Sequence, residues 1–300
     1  MILRDLGEFN LIKRLSKCVK LSACVVKGIG DDAAVLRYKK DRHLLFTTDM
    51  LIEGRHFLKS SGGYRIGKKS MSVNVSDIAA MGGRPLAAVI SLGVPPSLSV
   101  DFVDGLYRGI RKIAGKFKID LVGGDTVRSK KIVINIALTG EVEKANLVLR
   151  NGARPGDVIF VTGAIGGSLN NRHLNFMPRI KEASFLVKNY NIHSMIDVSD
   201  GLIADLGHIL ESSKAGAIIH EKDIPISRDA KNFKTAIVDG EDFELIFTVS
   251  NRTADRLVKK WPFRTRLSKI GKVCNKSTGL CIVMRNGGKE TIKPWGYEHF

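Results

Sequence analysis

Residues 66–92 read IGKKSMSVNVSDIAAMGGRPLAAVISL. Met71, Val75 and Ile78 recur at helical spacing on one face, which predicts a helix over 66–81. Asn74 and Asp77, three apart, share another face. Gly82, Gly83 and Pro85 stop that helix. The apolar run 86–92 reads as a buried strand, broken by Pro95 and Pro96.

Working outward, the N-terminal side predicts a helix over 3–18 and a glycine loop at 28–32. Strands follow over 33–38 and 43–48, the second ending at Asp49. On the C-terminal side a helix is expected over 102–117, with Val103, Leu106, Ile110 and Ile113 inward. Strands over 119–122 and 132–140 follow, with Gly123, Gly124, Asp125 and Thr126 read as a turn. The polar NGARPGD at 151–157 marks a boundary region. Beyond it, strands are expected over 158–162, 217–220 and 245–249, and helices over 178–190 and 202–210. Strands outnumber what a simple alternating parallel fold needs. The expected class is α+β: two α/β domains with mixed sheets, over 1–142 and 143–300.

The chain has 300 residues, with 48 Lys plus Arg against 30 Asp plus Glu, a net charge of +18. An apolar content of 44% excludes a disordered chain. The four cysteines form no C-x-x-C and no zinc spacing, so reduced thiols in a reducing compartment are expected. The first residues lack the apolar run of a secretory signal, and 86–94 is too short to span a bilayer. These features predict a cytoplasmic protein without a membrane partner. The basic residues are scattered, and no aromatic stripe or zinc-finger spacing accompanies them. No nucleic-acid partner is expected.

The minority charge is more informative. Carboxylates sit among glycines or small residues at Asp31, Asp32, Asp49, Asp77, Asp125, Asp197, Asp200, Glu241 and Asp242. Most adjoin apolar segments, where an unpaired carboxylate is expensive. Lys or Arg, backbone N–H groups or a metal ion must compensate them. Oxygen-rich sites suit Mg²⁺, which is shared between carboxylates and substrate phosphates. Asp197 and Ser199 point the same way in an extended segment, and Asp200 opens the helix at 202, whose N-terminus favours anions. A helix cap by Ser199 or Asp200 is the simpler use of one of them. There is no Walker A sequence, no calcium loop and no protein-kinase H-R-D or D-F-G pair.

The order of these motifs resembles the thiamine-monophosphate kinase family, in an ATP-using superfamily with aminoimidazole ribonucleotide synthase and selenophosphate synthetase. The resemblance is carried by GEFNLI (7–12), GIGDDAAV (28–35), TTDMLIEGRHF (47–57), NVSDIAAMGGRP (74–85) and GGDT (123–126). It continues through GARPGD (152–157), DVSDGL (197–202), GEDFELIF (240–247) and the terminal WGYEHF (295–300). It implies aminoimidazole ribonucleotide synthase-like N- and C-terminal domains. It also implies a barrel-like homodimer core and phosphorylation of thiamine monophosphate to thiamine diphosphate with ATP and Mg²⁺. On matching positions it implies Asp32, Thr48, Asp49, Asp77, Asp125, Asp197 and Asp200 around Mg²⁺, with Asp49, Asp77, Asp125 and Asp200 at the transfer centre. Tyr107, Gly123, Gly124, Arg150 and Ser199 correspond to nucleotide contacts. His56, Glu244 and Tyr297 correspond to substrate contacts, with Glu241 and Trp295 as neighbours.

The chemistry agrees with those roles. The accepting phosphate oxygen is already anionic, so transfer needs alignment and charge stabilisation rather than a strong base. The segment between Ser168 and Asp197 and the one before Gly240 are shorter than the family pattern, and Asp239 replaces a glycine. A related ATP-dependent kinase or synthase with another acceptor is the alternative. Selenophosphate synthetase is disfavoured because no cysteine lies near Gly28, and a hydrogenase-maturation protein because no C-terminal cysteine is present.

Overall fold

The computed structural model describes residues 2–297. Glu298, His299 and Phe300 of the terminal WGYEHF motif lie outside the described residues.

Two mixed sheets carry the chain. The first contains β1 (Val25–Lys27), β2 (Ala34–Arg37), β3 (Arg42–Ile52), β4 (Arg84–Val94), β5 (Asp120–Arg128) and β6 (Val133–Glu143). Its order is β1-β2-β3-β6-β4-β5, antiparallel except for the β4–β5 pair. The second contains β7 (Val158–Thr162), β8 (Ser194–Asp197), β9 (Ala215–His220), β10 (Leu245–Val249), β11 (Leu267–Asn275), β12 (Leu280–Val283) and β13 (Lys289–Ile292). Its order is β13-β12-β9-β11-β7-β10-β8, with only β12–β9 parallel. This is the α+β architecture with mixed sheets that the strand count predicts.

The helices are α1 (Leu3–Leu6), α2 (Glu8–Ser16), α3 (Gly63–Ala80), α4 (Val100–Phe117), α5 (Ile180–Asn189), α6 (Leu202–Ser213), α7 (Phe233–Ala236) and α8 (Asn251–Lys260). The expected helix over 3–18 is broken at Gly7, whose φ of 74° an L-residue rarely adopts. In α3 and α4, Ile66, Met71, Val75, Ile78, Ile110 and Ile113 cover one face of the first sheet, against Leu45, Ile90, Ile134 and Ile136. The two helices touch backbone to backbone. A Cβ on Gly67 would fall 2.0 Å from the Leu106 carbonyl oxygen, and one on Gly109 2.1 Å from that of Tyr64. That approach lets α3 be buried on nearly every side, so even Ser72, Asn74 and Ser76 are inside. Its last turn, Ala79 and Ala80, packs with α5, α8 and the second sheet. The face of that sheet bearing Ile159, Val161, Ile196 and Ile246 is covered by α6.

Among the described residues nothing covers the opposite face of the first sheet. Phe46, Met50, Val89, Val122 and Val127 are all exposed there or on its edge strand. Among the described residues no helix is long and apolar enough to cross a membrane.

Two local readings are corrected. Asp49 does not end a strand; β3 runs on to Ile52, paired with β6 throughout. Gly123–Thr126 is not a turn but the middle of β5, in parallel register with β4. A Cβ on Gly124 would lie 1.9 Å from the Ile90 carbonyl oxygen, so this glycine marks a close strand approach.

Candidate active site

Three segments bring their carboxylates together beneath α3. Thr47 Oγ1 of β3 donates to Asp77 Oδ2 of α3. Ser76 Oγ of α3 donates to Asp197 Oδ2 at the end of β8. Asn74 Oδ1 accepts the Asp49 backbone N–H at 3.1 Å. Helical spacing thus aims Asn74 and Asp77 at β3, while Ser76 reaches the second sheet. Asp32 joins from the 28–32 loop and meets Arg150, whose Nη2 donates to Asp32 Oδ1 at 2.7 Å. The Arg150 backbone N–H donates to Asp31 Oδ1 at 3.1 Å.

The electrostatics record this crowding. Burial pushes Asp49 up to about 6. Burial, then the charge of Asp32, pushes Asp197 up to about 8. Asp77 is raised well above the ordinary carboxylate value, first by burial and then by Asp49, Asp197 and Asp32. Asp32 is raised by burial against the opposing pull of Arg150. Asp32 Oδ2 and Asp49 Oδ2 are buried with no hydrogen-bond partner among the described residues. Carboxylates in this density, with orphaned oxygens, fit a site for oxygen-seeking divalent cations.

Asp49 also faces a cavity of about 440 Å³, and so do Thr48, His56, Ser199, Asp200, Glu241 and Tyr297. The His56 ring is fixed by Nδ1, which accepts the Ile52 N–H at 3.0 Å. Asp205 Oδ2, in the first turn of α6, accepts the Asp200 and Gly201 N–H groups at 3.0 and 3.1 Å. So neither Ser199 nor Asp200 caps α6, whose N-cap is Gly201; Asp205 instead ties down the turn that leads into it, which sequence reasoning missed. Asp200, Asp205 and His208 present ligand atoms within 4.8 Å of one another. Tyr297 donates its backbone N–H to the Asp200 carbonyl at 3.0 Å. The Arg55 guanidinium lies 4.8 Å from the Tyr297 ring centroid, so this ring already holds a cation.

Other expected residues lie elsewhere. Glu244 is buried and does not line the cavity; it is held by Thr162 Oγ1 at 2.7 Å and by Arg179 Nε at 2.7 Å. Glu241 occupies the cavity wall instead. Trp295 is exposed, and Tyr107 packs at the edge of the first core. Gly123, Gly124 and Asp125 are exposed on edge strand β5, three strands from β3 and so about 14 Å from Asp49.

Family models match both parts of the chain: AIR synthase related protein, N-terminal domain, over residues 30–142, and its C-terminal domain over 154–280. The thiamine-monophosphate kinase of Buchnera aphidicola subsp. Schizaphis graminum is 36% identical, with 99% of each chain covered. The chain belongs to the thiamine-monophosphate kinase family. The member from Aquifex aeolicus is 34% identical over 100% of both chains. The solved structure of AaThiL complexed with AMPPCP and TMP superposes with a TM-score of 0.86. It is 33% identical and covers 100% of this chain and 99% of that one.

Proposed function

We propose that this chain transfers the γ-phosphoryl group of ATP to thiamine monophosphate, giving thiamine diphosphate and ADP. The observation that carries the reading is a buried carboxylate cluster with two orphaned oxygens, opening on a cavity that ends in Tyr297 and Glu241. The complex of AaThiL with AMPPCP and TMP supports it. Asp32, Thr48, Asp49, Asp77, Asp125, Asp197 and Asp200 hold Mg²⁺ in this reading. When bound, Mg²⁺ neutralises the charge of two phosphate-bearing substrates and of the transferring group.

The chain's own residues align the partners. Arg150 and Ser199 contact the nucleotide beside Asp32 and Asp200. His56 meets the acceptor phosphate. Tyr297 offers its face to the cationic ring of thiamine, displacing Arg55, and a carboxylate balances the ring's charge. Because Glu244 is committed to Arg179, Glu241 takes that carboxylate role. The attacking oxygen is anionic at neutral pH, so in-line transfer needs no phosphoenzyme and no strong base.

We assign Tyr107, Gly123, Gly124 and Asp125 to a site shared between two copies. Their exposed edge strand borders the uncovered apolar face around Phe46 and Met50, which suits a homodimer. Residues 1–142 then form the ATP-binding and dimerisation unit, and 143–300 complete the nucleotide and acceptor sites in the cytoplasm. The test is product identification with purified protein, ATP, Mg²⁺ and thiamine monophosphate. Thiamine diphosphate and ADP are expected; unchanged ATP refutes the reading. Free phosphate with ADP points to a synthase or hydrolase instead.

A further inference from the structure

Among the described residues Lys69 is one of the largest fully buried side chains, only 1% exposed. It lies in the middle of α3, next to Lys68, and looks in sequence like one more basic surface residue. A buried ammonium is costly unless it is paired and hydrogen-bonded. Its Nζ makes two short bonds, donating at 2.6 Å to the His56 carbonyl oxygen and at 2.6 Å to Glu241 Oε1. Burial lowers the Lys69 pKa, and the Glu241 carboxylate opposes that shift. Both acceptors belong to residues that line the cavity, whereas Lys69 does not.

The backbone on the far side is constrained as well. Glu241 has a φ of 64° and Phe243 of 51°, left-handed values that a non-glycine residue adopts only when its surroundings hold it there. Glu241 Oε2 is buried and has no hydrogen-bond partner among the described residues. One carboxylate oxygen is therefore consumed by Lys69 and the other is left for an incoming donor or cation. A buried ion pair adds little stability compared with an apolar pair of the same shape, but it does fix geometry.

We propose that Lys69 is a positioning residue for the acceptor, holding the His56 segment and the Glu241 carboxylate in register across the two halves of the chain. The proposal rests on the kinase reading above. Two acceptors at 2.6 Å from one nitrogen can be no more than twice that distance apart. The ammonium thus sets the width of the acceptor end of the cavity, and among the described residues its hydrogen bonds go to His56 and Glu241, not to the carboxylate cluster.

The test varies thiamine monophosphate and ATP separately in steady-state kinetics of the full chain. Lys69→Met should raise the KM for thiamine monophosphate about tenfold, the loss of one charged hydrogen bond, and leave the KM for ATP within about twofold. Lys69→Arg, which keeps the charge, should recover part of the loss. The Lys69→Met/Glu241→Gln double variant should be no worse than the poorer single variant, because both remove one interaction. Additive losses, or equal rises in both KM values, overturn the proposal. If Lys69→Met does not fold, Lys69→Arg carries the comparison: a KM change confined to the acceptor supports the role, and no change, or one shared with ATP, overturns it. If the unaltered protein neither binds nor turns over thiamine monophosphate, the kinase reading falls and this proposal with it. With the unaltered protein active, the outcomes above bear on Lys69 alone.

Discussion

Replacing Asp49 by Asn should stabilise the protein in the absence of divalent cations while it removes activity. Asp49 is buried beside Asp77, and its carboxyl is pushed up to about 6 from the ordinary carboxylate value of 3.8. A group whose pKa is raised on folding contributes stability below its unfolded pKa and loses it as pH rises through the folded pKa. At pH 7.5 the ionised Asp49 therefore costs the metal-free fold about 3 kcal/mol, from roughly two pKa units at about 1.4 kcal/mol each. Asn keeps the shape, drops the charge and can donate to Asp77. With an unfolding entropy of about 2.1 cal/mol/K per residue, about 3 kcal/mol corresponds to about 5 °C in Tm for a chain of this length. The assay is calorimetric melting in EDTA across pH. Asp49→Asn should match the unaltered protein near pH 4 and melt above it by up to about 5 °C beyond pH 6. Adding Mg²⁺ should raise the Tm of the unaltered protein and leave the variant nearly unmoved, and turnover should fall by about two orders of magnitude or more. A lower Tm for the variant in EDTA at pH 7.5 would refute the reasoning, because Asp49 would then be a structural residue.

Mg²⁺ affinity, measured by titration calorimetry, should rise about tenfold per pH unit below pH 8, because a bound cation must displace the proton held by Asp197, raised to about 8; a flat profile counts against Asp197 as a ligand. Phe46→Lys places a charge on the uncovered apolar sheet face, and light scattering should show a dimer become a monomer. Tyr297→Ala should raise the KM for thiamine monophosphate about fivefold, the value of one cation–π contact, with the KM for ATP unchanged in the same kinetic assay. Arg150→Met removes the cation that pairs with Asp32 and should cost about 3 kcal/mol in EDTA by chemical denaturation, partly recovered by Mg²⁺.

What the sequence exposes of this site is governed by how local the cause is. Asp49, Asp77 and Asp197 stand out because each adjoins an apolar segment with no nearby cation, a local contradiction that points to a ligand. The same logic fails for Gly123 and Gly124. Consecutive glycines before Asp read as a turn when seen alone. What places them in a strand is the Ile90 carbonyl of β4, 1.9 Å from where a Cβ of Gly124 would lie. Glu241 and Glu244 are equally hard to tell apart in GEDFEL. The difference is made by Arg179, 65 residues away, which takes Glu244, and by Lys69, 172 residues away, which takes one oxygen of Glu241.

The same reasoning gives the +18 charge its meaning. The excess Lys and Arg are scattered over the surface and describe no single site, although they raise the local concentration of anionic substrates. Inside, the balance is reversed: Asp32, Asp49, Asp77 and Asp197 converge, and Arg150 is the cation hydrogen-bonded among them. A fold selected only for stability would place some of the surplus cations here, or replace the carboxylates with apolar groups. Leaving the charge uncompensated costs the fold stability without cations, and makes the binding of cations and phosphates restore what folding left unbalanced.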